Sequence, residues 1–200
     1  GISLHHEEIR NRTVGIIGYG HIGKEIAKRA AAFDMRIIAI RRSKQEIAAP
    51  LDWIGTADQL DKLLSESDFV VVACDMNEGT IGMIDAQQIA KMKPGGIIIN
   101  VARGQIIAEE ALYNALKNKK IGGAVLDVWY NYIGNNKEEV SPSNLPFERL
   151  DNVILSAHES ASAPEQVERR WKFVAENICL AAEGETPKNI VFVGSEVATT

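Results

Sequence analysis

The chain has almost no cysteine. Cys74 and Cys179, each in an apolar stretch, are too few for a disulfide framework or a zinc site of their own. That usage points to a reducing, cytoplasmic setting. Aromatic residues make up 6%, and no apolar run approaches the roughly 18 residues needed to cross a bilayer, which excludes a membrane-spanning helix. Neither sign of charge dominates. The 22 Lys plus Arg against 27 Asp plus Glu leave a net charge of −5, a poor balance for a chain that coats nucleic acid or an anionic membrane. Internal repeats and low-complexity tracts are missing as well. What remains is an ordinary globular composition over 200 residues, 46% hydrophobic and 24% charged. The chain begins with Gly1 and shows no signal-peptide pattern, so it is expected to be a piece of something longer.

Apolar runs alternate regularly with helical periods. Runs at 13–18, 36–40, 68–74, 95–102, 121–128 and 152–157 read as strands, and helical spacing recurs at 22–33, 56–67 and 109–117. Strands that are apolar without alternation are buried on both faces. The expected fold is therefore α/β, a Rossmann-type doubly wound parallel sheet with helices on both faces. Residues 134–146, rich in Pro, Ser and Asn, read as a long loop. From Pro164 to Glu185 the spacing predicts one amphipathic helix with Val167, Trp171, Val174 and Ile178 on a single stripe. Ser162 and Glu165 have capping-box spacing, and Gly184 is its stop signal. The expected division is a nucleotide-binding domain over 1–160 and a helix with its tail over 161–200.

Gly18-Tyr-Gly20-His21-Ile22-Gly23 follows a strand and opens a helix. In that context Gly18 permits a tight turn, Gly20 a close approach of backbone to a pyrophosphate, and Gly23 close packing of helix on strand. An Asp or Glu ending the second strand would suit the ribose hydroxyls of NAD. Instead this chain has Arg41-Arg42-Ser43-Lys44 there, 18 residues from Gly23 to Arg41. Arginines can clamp a 2′-phosphate, so NADP is the preferred expectation and NAD the alternative.

Four histidines are present: His5, His6, His21 and His158. His5 and His6 lie in the polar leader, and His21 matters through its backbone. His158 follows the last strand, Arg103 follows the strand ending at Ala102, and Asp127 lies near the end of the strand between them. All three reach the carboxyl edge, where doubly wound sheets bind ligands. An arginine, an acid and a histidine arriving there from three separate strands suit a carboxylate-bearing substrate whose oxygen exchanges a proton. Ordinary polar loop ends are the competing reading.

Four ordered motifs resemble those of the D-isomer-specific 2-hydroxyacid dehydrogenases, which include phosphoglycerate dehydrogenase, glyoxylate/hydroxypyruvate reductase and formate dehydrogenase. They are Gly18-x-Gly20-His21-Ile22-Gly23, Asn100-Val101-Ala102-Arg103-Gly104, Leu126-Asp127-Val128 and Ser156-Ala157-His158. The resemblance runs from about residue 7 to residue 193. It implies hydride transfer between a nicotinamide and a small 2-oxo or 2-hydroxy acid. Arg103 would bind the substrate carboxylate and carbonyl, and His158 would be the acid/base. Asp127 would contact the nicotinamide carboxamide, Cys74 to Thr80 would border the nicotinamide and phosphates, and Val101 to Arg103 would line the cofactor. A homodimer in the full-length protein is implied as well.

Two departures stand out. The family's glutamate, five residues beyond the Asp of its Leu-Asp-Val motif, is here Tyr132, and the proline after it is Ile133. A neutral tyrosine can orient His158 without supporting its charged form as a carboxylate does, and Glu138, Glu139 or Glu159 are the acids that could substitute. This departure keeps open a second reading, a dinucleotide-sensing module without catalysis. The other departure is length. Only about a dozen residues precede Thr13, so the substrate domain is expected to be absent from this chain, leaving the terminal helix with an exposed apolar face.

Overall fold

The structure is a computed structural model that describes residues 8–43, 46–132 and 140–190. His5, His6, Lys44, Ile133, Gly134, Glu138 and Glu139, all named above, lie outside the described residues. In chain order the elements begin with β1 (Thr13–Ile17), α1 (His21–Ala31), β2 (Arg36–Ile40) and β3 (Trp53–Gly55). They continue with α2 (Leu60–Glu66), β4 (Phe69–Val72), α3 (Ala86–Ile89), β5 (Ile97–Asn100) and α4 (Glu109–Lys117). β6 (Gly123–Leu126), β7 (Val153–Leu155) and α5 (Pro164–Ala182) follow among the described residues.

The strands form one seven-stranded sheet in the order β3-β2-β1-β4-β5-β6-β7, and every pairing is parallel. Alternate residues of a strand serve opposite faces. One face carries Ile17, Ile38, Val70, Val72 and Ile98, covered by Leu60, Leu63 and Leu64 of α2 and by Leu112 and Leu116 of α4. The other carries Val14, Ile16, Ile37, Ala39 and Val71, packed with Ala27 and Ala30 of α1. Burial on both faces is why the strands read as unbroken apolar runs. Strand order reverses between β1 and β4, which opens a crevice at their carboxyl ends.

Three local features differ from expectation. The three-residue β3 carries no apolar run and exists because β2 offers it a free edge, pairing Ile38 with Trp53 and Ile40 with Gly55. The four-residue α3 is started by Asp85, whose carboxylate accepts from the amides of Gln87 and Gln88. At α5 the N-cap is Ala163, with no side-chain cap, so the Ser162–Glu165 capping box does not form. Pro164 at the first helical position starts that helix instead. Its stop signal does work, since Gly184 takes a positive φ of 76° that glycine adopts freely.

The chain divides into two compact units, Gly1–Ser160 and Ala161–Thr200. Within the second, Val167, Trp171, Val174 and Ile178 of α5 are exposed. Among the described residues no helix is long and apolar enough to cross a membrane.

Candidate cofactor and active site

The glycine turn joins β1 to α1 at the crevice. Gly18 has φ +100°, its N–H donates to Ile40 O at 2.9 Å, and a Cβ on it would lie 2.5 Å from Cys74 N. The turn is thus wedged between the ends of β2 and β4. A Cβ on Gly23 would fall 2.3 Å from Gly18 O, so the helix approaches the turn as only glycine allows. Gly20 behaves differently. It is the N-cap of α1, and a Cβ on it would meet nothing within 4 Å. That open space lies before the first-turn amides of an eleven-residue helix with no acidic residue in its first turn. The cradle fits a pyrophosphate through amide donors and the helix dipole. His21 and Ile22 open the helix, and both side chains are exposed.

Of the other expected cofactor groups, Cys74 and the end of β2 abut the glycine turn. Arg41 follows β2 directly, its N–H donating to Gly55 O at 3.0 Å, while Arg42 and Ser43 are exposed. The Gly18–Ile40 bond puts this basic end of β2 beside the glycine turn. Cys74 is half-buried, and burial pushes its thiol up to about 11, which leaves it neutral at pH 7. Thr80 closes the following turn, its hydroxyl donating to Asp75 O and accepting from Asn77 N, each at 2.8 Å.

The other half of the site sits at the ends of β5, β6 and β7, where Asn100, Leu126 and Leu155 stand side by side in register. Asn100 is buried, and it folds the chain back on itself. Its Nδ2 donates to Arg103 O at 2.9 Å and its Oδ1 accepts from Ala102 N at 3.1 Å. The turn so formed carries Val101 and Ala102 against the core and leaves the Arg103 side chain exposed, with Nη1 donating to Ala102 O at 2.6 Å.

Asp127, one residue past β6, is 4% exposed. Its Oδ1 accepts from Ser156 Oγ at 2.6 Å, Glu159 N at 3.1 Å and Ser160 N at 3.2 Å, and its Oδ2 accepts from the Ser160 hydroxyl. Burial works against its charge, but these hydrogen bonds outweigh it and hold the carboxyl below the ordinary range. The resemblance implied a contact from Asp127 to the nicotinamide carboxamide. In the structure the carboxylate braces the turn that presents His158. His158 itself is exposed, with φ +60°.

Three residues given no role by sequence reasoning, Gly104, Gln105 and Trp129, hold the site together. Gly104 lets the Arg103 turn reach the segment after β6, since a Cβ there would lie 2.4 Å from Trp129 O. Gln105 Nε2 adds a bond to Tyr130 O at 2.9 Å. Trp129, 8% exposed, donates from Nε1 to Ser156 O at 2.8 Å, and its backbone N–H donates to the Tyr132 hydroxyl at 3.0 Å. The rings of Tyr132 and His158 lie 5.5 Å apart. Around them a shallow pocket of about 450 Å³ is lined by Trp129, Tyr132, Pro142, Leu155 and His158. The signal for Asn100 was available: a polar residue ending a buried apolar strand must find partners.

A parallel sheet with a glycine cradle at its switch point and polar turns at the same edge defines a dinucleotide-binding domain of the Rossmann class. The model of the D-isomer specific 2-hydroxyacid dehydrogenase NAD binding domain matches residues 2–160, and the chain belongs to that family. It is 37% identical to a glyoxylate reductase of Korarchaeum cryptofilum over 92% of this chain and 53% of the relative. With a hydroxypyruvate reductase of Thermotoga maritima it shares 40% identity over 84% of this chain and 52% of that one. Among solved structures, an NADPH-dependent glyoxylate/hydroxypyruvate reductase from Sinorhizobium meliloti, in complex with NADP and sulfate, superposes with a TM-score of 0.78 at 28% identity. That superposition covers 94% of this chain and 58% of the other. The chain thus spans about half the length of the relatives it matches.

Proposed function

We propose that this chain is the cofactor-holding portion of an NAD(P)-dependent oxidoreductase acting on a small 2-oxo or 2-hydroxy acid. The observation that carries the reading is the arrival of the glycine cradle, Arg103 and His158 at one edge of a single parallel sheet. The bound nicotinamide would supply or accept the hydride. Arg103, on a turn fixed by Asn100, pairs its guanidinium with the substrate carboxylate and polarises the adjacent carbonyl. His158 gives a proton to the substrate oxygen during reduction and takes it back during oxidation. Cys74, Thr80, Val101 and Ala102 border the cofactor between these groups and the glycine turn.

NADP is the proposed cofactor over NAD. Arg41, Arg42 and Ser43 lie beside the glycine turn at the end of β2, where a ribose-binding acid would otherwise stand. The reading extends to a cytoplasmic, homodimeric full-length protein in which the apolar stripe of α5 is covered by a substrate domain.

The test is NADPH oxidation by the full-length protein over a panel of 2-oxo acids. The expected result is turnover that falls about 10²- to 10⁴-fold in His158→Ala, with a raised substrate KM in Arg103→Lys. A wild-type rate in His158→Ala would overturn it. One observation favours a second reading, a dinucleotide sensor: the residue facing His158 is a tyrosine whose hydroxyl is turned to Trp129. Tight cofactor binding with no turnover of any 2-oxo acid would establish the sensor.

A further inference from the structure

An exposed imidazole on a turn has several staggered rotamers open to it, and proton transfer needs one of them. The backbone beneath His158 is well held. Asp127 bonds the amides of Glu159 and Ser160, and Trp129 Nε1 bonds Ser156 O, two residues before the histidine. The ring itself faces Tyr132, centroid to centroid 5.5 Å with the planes inclined at 55°. Tyr132 is 46% exposed, yet its hydroxyl is tethered, accepting from Trp129 N–H at 3.0 Å. One buried tryptophan therefore holds both the tyrosine and the strand end that leads into the histidine.

On the footing of the function proposed above, we infer that Tyr132 is the positioning residue for His158. It acts as a neutral aromatic stop that sets the imidazole plane through ring contact and supplies no charge. Among the described residues, the titratable and charged groups about this turn are Asp127 beneath it, Glu159 next in the chain, Tyr132 across from the ring and Arg103 beyond β5. Asp127 is occupied by Ser156, Glu159 N and Ser160, so its carboxylate acts on the backbone of the turn. The ring contact is what restricts the imidazole.

The experiment uses the full-length protein with Tyr132→Ala, Tyr132→Phe and Tyr132→Glu, each read by kcat, KM and the pH–rate profile, with His158→Ala as control. In Tyr132→Ala kcat falls about tenfold or more, within the roughly 10²-fold that a 1 Å misplacement costs. KM for NADPH and the high-pH limb stay where they were. Tyr132→Phe keeps the ring and stays within about threefold of wild type, the scale of one weak hydrogen bond. Tyr132→Glu adds a carboxylate and moves the limb up by about one unit, a tenfold change in the protonation constant. Ring-current shifts of the His158 protons give a readout independent of turnover: lost in Tyr132→Ala, kept in Tyr132→Phe. Wild-type kcat in Tyr132→Ala, unshifted His158 resonances there, or a moved limb in Tyr132→Phe would overturn the inference. An active His158→Ala protein would instead overturn the function beneath it.

Discussion

Replacing Asp127 by asparagine removes a charge and leaves shape almost unchanged. The carboxylate accepts from Ser156 Oγ, from Glu159 N and Ser160 N, and from the Ser160 hydroxyl. The hydroxyls can rotate to meet an amide, but the backbone N–H groups cannot. Asparagine keeps one acceptor oxygen and turns an NH2 toward Ser160 N. Hydrogen bonds to a charged group contribute about 1.5–3 kcal/mol and neutral ones about 0.5–1.5. With Ser156 Oγ and the two amides each losing about 1 kcal/mol, the expected destabilisation is about 2–3 kcal/mol. That corresponds to a drop of roughly 5–10 °C in thermal midpoint for a chain of this length.

The sign of the pH dependence follows from the direction of the Asp127 shift. Its folded-state value is depressed, because the hydrogen bonds outweigh burial. The stability it contributes is therefore present above the unfolded value of about 3.9 and is lost as pH falls through the folded one. Urea unfolding of both proteins at pH 7 and again at about pH 3 should show a gap at the first that narrows at the second. A gap under about 0.5 kcal/mol at pH 7 would refute the reasoning, as would one that keeps its size in acid.

Three other perturbations address the cofactor. Gly23→Ala pushes a methyl against Gly18 O, 2.3 Å from the ideal Cβ, and should cost about 1–3 kcal/mol in unfolding along with cofactor affinity. Gly20→Ala meets nothing within 4 Å, so it should fold within about 1 kcal/mol of wild type and still bind NADPH more weakly; equal stability losses in the two variants would contradict the geometry. Arg41→Asp with Arg42→Asp should reverse a preference for NADPH over NADH, and raising salt should narrow the wild-type gap, both read by fluorescence titration. Equal wild-type affinities for the two cofactors would remove the 2′-phosphate role.

At the carboxyl edge of the sheet this chain builds turns that brace one another. Asn100 shapes the Arg103 turn, Gly104 and Gln105 join it to the segment after β6, and Trp129 joins that segment to the His158 turn. Disturbing any one of these should reach the others, so variants here are expected to couple rather than add.

The sequence by itself determined what depends on neighbours along the chain. Strands buried on both faces must be continuously apolar, so β1, β2, β4 and β5 were legible, and the alternation with helices required a parallel sheet. The Gly18–Gly23 turn was legible because positive φ and close approach demand glycine at set spacing. Tertiary structure alone decided β3, which pairs for want of another partner to the β2 edge, and the failed cap at Ser162. It also decided the work of Asp127 and Trp129, whose bonds to Ser156 span 29 and 27 residues. Local periodicity records which face a residue presents. Which turn lies beside which follows only once the strands are laid in order, and the bonds that aim Arg103 and His158 form between those turns.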